Sequence, residues 1–323
     1  MTGYVDPQAL ALLDVMGGAM DQLIGADGKI DVDLFRESMI PQRGADTPLG
    51  REMEEVRDFE IPTSGGTRPC RAWIPRSEQD QLPVLIYYTG GTVLNTSLDD
   101  LPAGALSMFA DLASCIVVVI NHRKPPENKY PVMFDDAAAI YFWLLENAGD
   151  LGGDATRIAV MGESSGGTLA ASVCHEAKRL GLPQPVLQGL FEPMVDLQAH
   201  TASMYSSYPL INKRFLDLGA ALNFGDEWPD EVPRRASPLL AHDVSGLAYA
   251  YIVTAELDPL RDEGHAYAMR LRNAGVRVSY LCYDGQVHGF FGQPMLSAEA
   301  LVANHQFAAV LRMVFNTGPK EGS

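Results

Sequence analysis

Short apolar segments alternate with longer helical patterns along most of this chain, and this alternation restricts its fold more than any other sequence feature. The segments VLIYY and CIVVVIN are apolar at nearly every position, which is typical of parallel strands buried on both faces. From the third strand onward each strand is followed by a helix, so we expect a mostly parallel sheet with helices on both faces. The predicted strands span residues 56–62, 70–75, 83–88, 115–121, 157–161, 186–192, 249–255 and 277–283. The predicted helices span residues 7–23, 101–112, 133–147, 166–180, 262–274 and 297–315.

The first two predicted strands are more polar and lie close together, which indicates an antiparallel edge on an eight-stranded α/β sheet. Two segments fall outside the strand–helix order. Residues 1–50 form an amphipathic helical lead-in, and residues 198–240 form an insertion rich in aromatic residues, Ser and Pro. We expect both to build a helical cap beside the carboxyl ends of the strands, where ligands of open α/β sheets bind. A surface excursion without a binding role is the alternative, and in either case residues 51–197 and 241–323 form the core.

The sequence GESSGG stands between a predicted strand and a predicted helix. In this context Gly-x-Ser-x-Gly forms a sharp turn that raises the central hydroxyl above the sheet, and its glycines let strand and helix pass without a Cβ clash. The N-terminus of the following helix favours negative charge nearby. Ser164 is therefore the candidate nucleophile, and the backbone N–H of Ser165 is a candidate oxyanion donor. A helix cap rich in Ser and Gly is the alternative interpretation.

A serine hydroxyl needs a base to remove its proton, and the base needs an acid to orient it. In this fold both should follow the serine, each after a later strand. Asp258 follows the apolar run at 251–255, whereas its competitor Asp262 opens the next helix and fits an N-cap or first-turn charge. His288 lies on the loop beyond the last strand and completes a predicted triad. The other histidines lie in helices, in or beside the insertion, or before the serine: His122, His175, His200, His242, His265 and His305.

The charge of the chain restricts its partners. A formal net charge of −17 argues against nucleic acid or an anionic membrane, since either requires a basic footprint, and fits action on neutral or cationic small molecules. No apolar run of about 18 residues occurs, and the N-terminus lacks the pattern of a secretory signal, so we expect a cytoplasmic protein without a membrane span. We expect free, buried thiols rather than disulfides at the scattered cysteines: Cys70, Cys115, Cys174 and Cys282.

Five blocks in this order resemble the hormone-sensitive-lipase-like carboxylesterases, a family of α/β-hydrolases with bacterial and fungal members. GESSGG is similar to the family's Gly-[Asp/Glu]-Ser-Ala-Gly-Gly, with Ser165 in place of Ala. NHRKPPENKYPVMFDDA resembles its Asp-Tyr-Arg-Leu-Ala-Pro-Glu segment, and TAELDPLRDEG and VHGFF resemble its acid and histidine motifs. The likeness covers residues 55–315 and implies the α/β-hydrolase fold with a helical cap, a buried ester site, and no metal or organic cofactor. It also implies that Arg123 and Glu127 brace the fold, and it leaves a homodimer open beside a monomer.

The fifth block is the loop after the third strand, which in the family reads His-Gly-Gly-Gly and completes the oxyanion hole with backbone N–H groups. Aligned on that motif, Thr89 stands for the His, Gly90 and Gly91 are kept, and Thr92 stands for the third Gly. Gly91 would donate in either register, paired with Gly90 or with Thr92. The resemblance therefore implies an oxyanion hole built by Gly90, Gly91 and Ser165. Thr89 and Thr92 are therefore the least family-like feature of the site, and a β-branched residue such as Thr92 tolerates positive φ poorly.

Together these features predict a serine carboxylester hydrolase that acts on small or medium acyl esters through an acyl-enzyme intermediate. A lactone or an activated amide is an alternative substrate for the same residues. A lyase or dehydratase that uses the same loop and base for elimination is a second alternative. A non-catalytic receptor for a small ligand is a third, although such relatives usually lack the catalytic Ser or His.

Overall fold

The computed structural model describes residues 4–10, 13, 23–25, 28–39, 49–91, 97–198, 200–205, 211–225, 233–295 and 297–317. Eight strands within these ranges form one sheet in the order β1-β2-β4-β3-β5-β6-β7-β8. β1 and β2 pair antiparallel, β2 pairs antiparallel with β4, and the remaining pairs are parallel. The strands are β1 Glu55–Thr63, β2 Gly66–Ile74, β3 Leu82–Tyr88, β4 Ile116–Ile120, β5 Gly153–Glu163, β6 Gln188–Phe191, β7 Ala250–Leu257 and β8 Val278–Val287.

Helices cover both faces of this sheet. The helices with described bounds are α1 Val32–Met39, α2 Ala103–Ala113, α3 Val132–Asn147, α4 Ser165–Leu180, α5 Lys213–Phe224, α6 Arg261–Asn273 and α7 Ala298–Phe315. Helices α3, α4 and α6 pack on one face and α2 and α7 on the other, because their buried side chains belong to two separate core clusters. In β3 the side chains of Val84 and Ile86 join the first cluster and that of Leu85 the second, as expected for a strand buried on both faces. The predicted sheet, its antiparallel edge and the two helical layers are confirmed.

Several predicted bounds were too short. β2 begins at Gly66 rather than at residue 70, because a tight turn pairs it with β1 along the full length of both strands. β5 and β8 both run further than the pattern indicated. β8 continues to Val287 through Gly285, where a φ of +68° suits a glycine. Polar residues at the strand ends hid these extensions from a pattern that counts apolar runs.

The predicted first helix, at 7–23, lies mostly outside the described residues; residues 7–10 are helical. The cap segments contain α1, α5 and a short 3₁₀ helix at Ala202–Tyr205. Phe35 of α1 and Phe215 of α5 meet edge to face with their ring centroids 5.7 Å apart, so the lead-in and the insertion pack against each other. This packing supports one two-part cap, while the boundaries at residues 50, 197 and 240 stay predictions.

The structure bears on the expectations for the cysteines and for a membrane span. All four cysteines are free; Cys70, Cys115 and Cys174 are buried and Cys282 is exposed. Among the described residues, no helix combines the length and the apolar character needed to cross a bilayer.

Candidate active site

Ser164 occupies the turn between β5 and α4. Its backbone has φ 55° and ψ −120°, a conformation that is strained for a residue with a side chain. A Cβ added to Gly162 would overlap the carbonyl oxygen of Gly166, and one added to Gly166 would overlap that of Tyr88. The two glycines are therefore required because strand, turn and helix come into backbone contact. This packing holds the Ser164 hydroxyl at the carboxyl edge of the sheet.

The structure brings the three predicted triad side chains together. His288 Nε2 lies 3.1 Å from Ser164 Oγ, and His288 Nδ1 lies 2.9 Å from Asp258 Oδ2. The other oxygen of Asp258 accepts the backbone N–H of Leu260 at 2.8 Å, which fixes the carboxylate on the loop directly after β7. Asp258 is fully buried. The imidazole thus contacts a hydroxyl on one side and a fixed, desolvated carboxylate on the other.

The electrostatics around His288 favour a charged imidazole. Burial alone would lower the pKa of His288, but the charge of Asp258 and its hydrogen bond oppose this effect. The charges of Glu192 and Glu163 act in the same direction as Asp258, and together they raise the pKa of His288 to about 9. An imidazole in this setting accepts a proton readily and stabilises the resulting cation.

The loop after β3 lies against the nucleophile turn. A Cβ added to Gly90 would come within 2.5 Å of the Glu163 carbonyl oxygen and 3.5 Å of Ser164 Cβ. In the described part of this loop, Gly91 has a φ of +78°, which a glycine tolerates. Ser165 is buried at the first position of α4. Thr92 lies outside the described residues, and the donor roles of Gly90, Gly91 and Ser165 stay predictions.

The competing acid has a structural contact of its own. Asp262 lies in the first turn of α6, as expected, and its Oδ2 accepts the backbone N–H of Ser203 at 2.9 Å. Ser203 Oγ in turn donates to the Pro259 carbonyl oxygen and accepts the Asp262 N–H. Asp262 therefore ties the start of the insertion to the loop that carries Asp258.

Two of the remaining histidines contact groups remote from the reaction. His175 Nε2 lies 3.0 Å from Tyr267 Oη between α4 and α6. His200 Nδ1, in the insertion, lies 2.9 Å from Oδ2 of Asp196, which precedes the insertion. Neither contact involves Ser164.

Arg123 and Glu127 brace the segment after β4. The Arg123 guanidinium and its backbone N–H bind the fully buried carboxylate of Asp136 in α3, with an Nη2–Oδ1 distance of 2.7 Å. Glu127 forms a 2.7 Å ion pair with Arg36 of α1. The first pair anchors the segment after β4 to α3, and the second links the lead-in to the core.

Sequence reasoning missed Glu192, which directly follows β6. Its carboxylate is fully buried and accepts backbone N–H groups from Gly289 and Phe291, the residues that follow His288. The sequence does contain a signal for Glu192, because it is a carboxylate at the end of an apolar strand, and the same pattern identifies Asp258. The apolar pattern marks Glu192 only as the last residue of the predicted strand at 186–192 and carries no information about the direction of its side chain.

One group of described residues has the composition of a metal site. Donor atoms of Glu192, Asp258 and His288 lie within 4.8 Å of one another. Nδ1 of His288 already shares a proton with Asp258, and Glu192 already accepts two backbone N–H groups. A metal ion would have to replace these contacts, so the donor set fits a hydrogen-bonded base better than a metal centre.

The chain matches known proteins in sequence and in structure. A sequence model of the alpha/beta hydrolase fold family matches residues 85–292, which include Ser164, Asp258 and His288. The chain belongs to this family. Its relatives include named carboxylesterases, which confirms the resemblance of the motifs to the hormone-sensitive-lipase-like carboxylesterases.

Three relatives illustrate the match to this hydrolase. It is 34% identical to the carboxylic ester hydrolase LipN of Mycobacterium tuberculosis over 300 residues, which is 90% of this chain and 79% of LipN. It is 36% identical over 251 residues to the carboxylesterase NlhH of the same organism, covering 76% of this chain and 77% of NlhH. The solved structure of a hyperthermophilic esterase from Pyrobaculum calidifontis superposes with a TM-score of 0.85 at 31% identity, covering 96% of this chain and 98% of that one.

Proposed function

We propose that this hydrolase cleaves carboxylic esters with Ser164 as nucleophile, His288 as base and Asp258 as the orienting acid. The observation that carries the proposal is the hydrogen-bonded line from Ser164 Oγ through the imidazole to Asp258, at 3.1 and 2.9 Å. The names of LipN, NlhH and the Pyrobaculum esterase, all ester hydrolases, support the same reaction class.

The first step is attack on the ester carbonyl. His288 Nε2 takes the proton of Ser164 as Oγ bonds to the carbonyl carbon, and Asp258 stabilises the imidazolium that forms. The strained turn at Ser164 presents the hydroxyl without competing backbone contacts. The protonated imidazole then gives its proton to the leaving alcohol, which leaves an acyl group on Ser164. Water, deprotonated by the same imidazole, hydrolyses this acyl-enzyme and restores the resting state.

The oxyanion formed in both steps needs backbone donors. Gly90 and Gly91 supply a loop that can approach Ser164 without a Cβ, and the N–H of Ser165 lies at the N-terminus of α4. Donors held in place before the reaction stabilise charge that develops only in the transition state. A helix N-terminus adds a favourable dipole at the same point.

The cap gives the site its substrate class. Met204, Ile211 and Leu260 form a buried cluster with Phe215, so the insertion packs directly beside the loop of Asp258. Apolar and aromatic side chains in this cluster favour small or medium acyl esters of low charge. The insertion and the lead-in then form a single lid, because Phe215 also contacts Phe35.

The decisive assay measures hydrolysis of p-nitrophenyl acetate and of longer acyl homologues by wild type and Ser164→Ala. We expect turnover by the wild type, at least a thousandfold loss in the variant, and labelling of Ser164 alone by a fluorophosphonate probe. Wild-type protein that neither turns over nor labels contradicts the proposal. A lyase would give elimination products without a labelled acyl-enzyme, and a receptor would bind ligand without either signal.

A further inference from the structure

The glutamate that follows β6 stands behind the imidazole of His288. We propose that Glu192 is a positioning residue, which holds the loop of His288 through two backbone N–H groups and faces the imidazole with a second carboxylate. The inference rests on the proposed function of His288 and extends it to a residue outside the triad.

The backbone conformation at Glu192 directs its side chain toward the triad. It adopts a φ of +46°, which is unfavourable for a residue with a side chain and is retained only where the surroundings enforce it. The Glu192 N–H donates to the Val253 carbonyl oxygen at 2.7 Å, which ties the residue to β7, the strand that leads to Asp258. The strained conformation thus sends a buried side chain toward the triad rather than into the sheet.

The carboxylate holds the histidine loop at two points. Glu192 Oε2 accepts the N–H of Gly289 at 2.5 Å, and Oε1 accepts that of Phe291 at 3.5 Å. Gly289 has a φ of +83° and immediately follows His288, so its N–H can point back to β6. Because both contacts fall within three residues of the imidazole, movement of Glu192 moves His288 relative to Ser164.

The charges around Glu192 explain why an acid at this point matters. Glu163 approaches from the end of β5, Asp258 from the end of β7, and His288 from the loop after β8. Burial and then the charge of Glu163 raise the pKa of Glu192 well above its usual value, whereas the charge of His288 lowers it. A buried acid among other acids is costly. The carboxylate accepts the two N–H groups with separate oxygens, whereas a glutamine has only one acceptor oxygen. The negative charge of Glu192 is also favoured when His288 is protonated.

The test uses Glu192→Gln, which keeps one acceptor oxygen and removes the charge, and Glu192→Asp, which keeps the charge and shortens the reach. We expect kcat for p-nitrophenyl acetate to fall about tenfold or more in Glu192→Gln with KM within about twofold, because the change affects the base and not binding. The acid limb of the pH profile of kcat/KM, where activity rises as His288 loses its proton, should move to lower pH by about one unit. The reason is that a carboxylate that favours the imidazolium is lost. Glu192→Asp should return that limb toward the wild-type position while kcat stays reduced.

Glu263 offers a matched control. It is also a fully buried glutamate that accepts two backbone N–H groups, from Val195 at 2.6 Å and Asp196 at 3.1 Å. Its partners belong to the loop after β6 and not to the loop of His288. Glu263 accepts both N–H groups with Oε1, an acceptor that glutamine retains, so Glu263→Gln should leave the acid limb in place. The proposal is overturned if the acid limb of kcat/KM lies at the same pH in Glu192→Gln and Glu263→Gln. It is also overturned if the acid limb of Glu192→Gln lies at the same pH as that of the wild type.

A second readout does not depend on turnover. The ring ¹⁵N signals of His288, identified by their absence in His288→Gln, report its pKa directly in wild type and in the Glu192 variants. We expect that pKa to be lower in Glu192→Gln than in wild type and Glu192→Asp. An unchanged pKa overturns the inference even if the enzyme hydrolyses esters, whereas an inactive wild type with a shifted pKa contradicts only the proposed function.

Discussion

Gly166 lies so close to Tyr88 that an added Cβ would overlap the Tyr88 carbonyl oxygen and sit 2.9 Å from the carbonyl carbon of Thr89. The first residues of α4 therefore touch the last residues of β3 through backbone alone. This contact fixes the distance between the turn that holds Ser164 and the loop that holds Gly90. The spacing of nucleophile and candidate oxyanion donors is thus set by the absence of a side chain.

Substitution of Gly166 by alanine should damage both stability and activity. The added methyl meets backbone atoms that cannot rotate away, so we expect a loss of about 1–3 kcal/mol or more in the free energy of unfolding. Chemical denaturation measures this loss, and ester hydrolysis measures the displacement of Ser164. Gly149→Ala is the control, because nothing lies within 4 Å of a Cβ there and its φ is not positive. A Gly166→Ala protein as stable and active as the control would show that α4 and β3 can separate freely.

Gly90→Ala tests the oxyanion loop more selectively. Its methyl would lie 2.5 Å from the Glu163 carbonyl oxygen, so the loop must shift away from Ser164. Loss of one donor contact lowers kcat by about 10²–10³-fold, with KM little changed. Steady-state kinetics with p-nitrophenyl acetate measure this effect, and unaltered kcat would remove Gly90 from the oxyanion hole.

Thr92→Gly tests the neighbouring position, which lies outside the described residues. The sequence-based expectation is a change within about tenfold, or about 1.4 kcal/mol, if only backbone donors matter. A thousandfold change in kcat/KM would instead show that the threonine side chain takes part.

The Arg123–Asp136 pair should contribute to stability far more than the exposed pairs do. Asp136 is fully buried, and its removal in Asp136→Ala leaves the Arg123 guanidinium without its carboxylate, which costs about 3 kcal/mol. The pair of Arg76 with Glu52 is exposed on both sides, so Arg76→Ala should change the unfolding free energy by less than about 0.5 kcal/mol. Urea denaturation of both variants measures the difference, and equal losses would contradict a structural role for Arg123.

The sheet could be predicted from the sequence because parallel strands buried on both faces leave a strong local pattern, as in VLIYY at 84–88. Ser164, Asp258 and His288 could be named because each follows a strand, and the topology brings the carboxyl ends of neighbouring strands to one edge. These are local signals combined with a fixed chain order.

Contacts between distant segments left no such signal. Glu192 lies 97 residues before its partner Gly289, and nothing in FEPMVD indicates that its carboxylate turns toward another loop. The contact of Phe35 with Phe215 likewise depends on how two separate segments fold over the sheet. Such pairings depend on tertiary geometry, which strand and helix patterns do not encode.

Phe215→Ala should loosen the cap without unfolding the core. The ring contacts Phe35 of α1 on one side and the cluster of Met204, Ile211 and Leu260 on the other, and its removal costs about 3 kcal/mol of packing. We expect faster proteolysis at 28–39 and a higher KM, with the main melting transition nearly unchanged. Leu34→Ala, on the exposed side of α1, is the control. Identical proteolysis of the two variants would show that α1 and α5 do not form one lid.

The pH dependence of the wild type follows from the raised pKa of His288. The base must be neutral to accept the Ser164 proton, so kcat/KM should rise with pH and reach half its maximum at about pH 9. In Asp258→Asn the negative charge that raises this pKa is gone, while burial still lowers it, so the acid limb should move to lower pH. The variant should also lose on the order of 10⁴-fold in kcat, because an amide at 258 favours the wrong imidazole tautomer. Asp262→Asn, which alters the contacts of this side chain with Ser203 and Arg261 and not with His288, should leave the limb in place. A limb that moves with Asp262 and not with Asp258 would reverse the assignment of the acid.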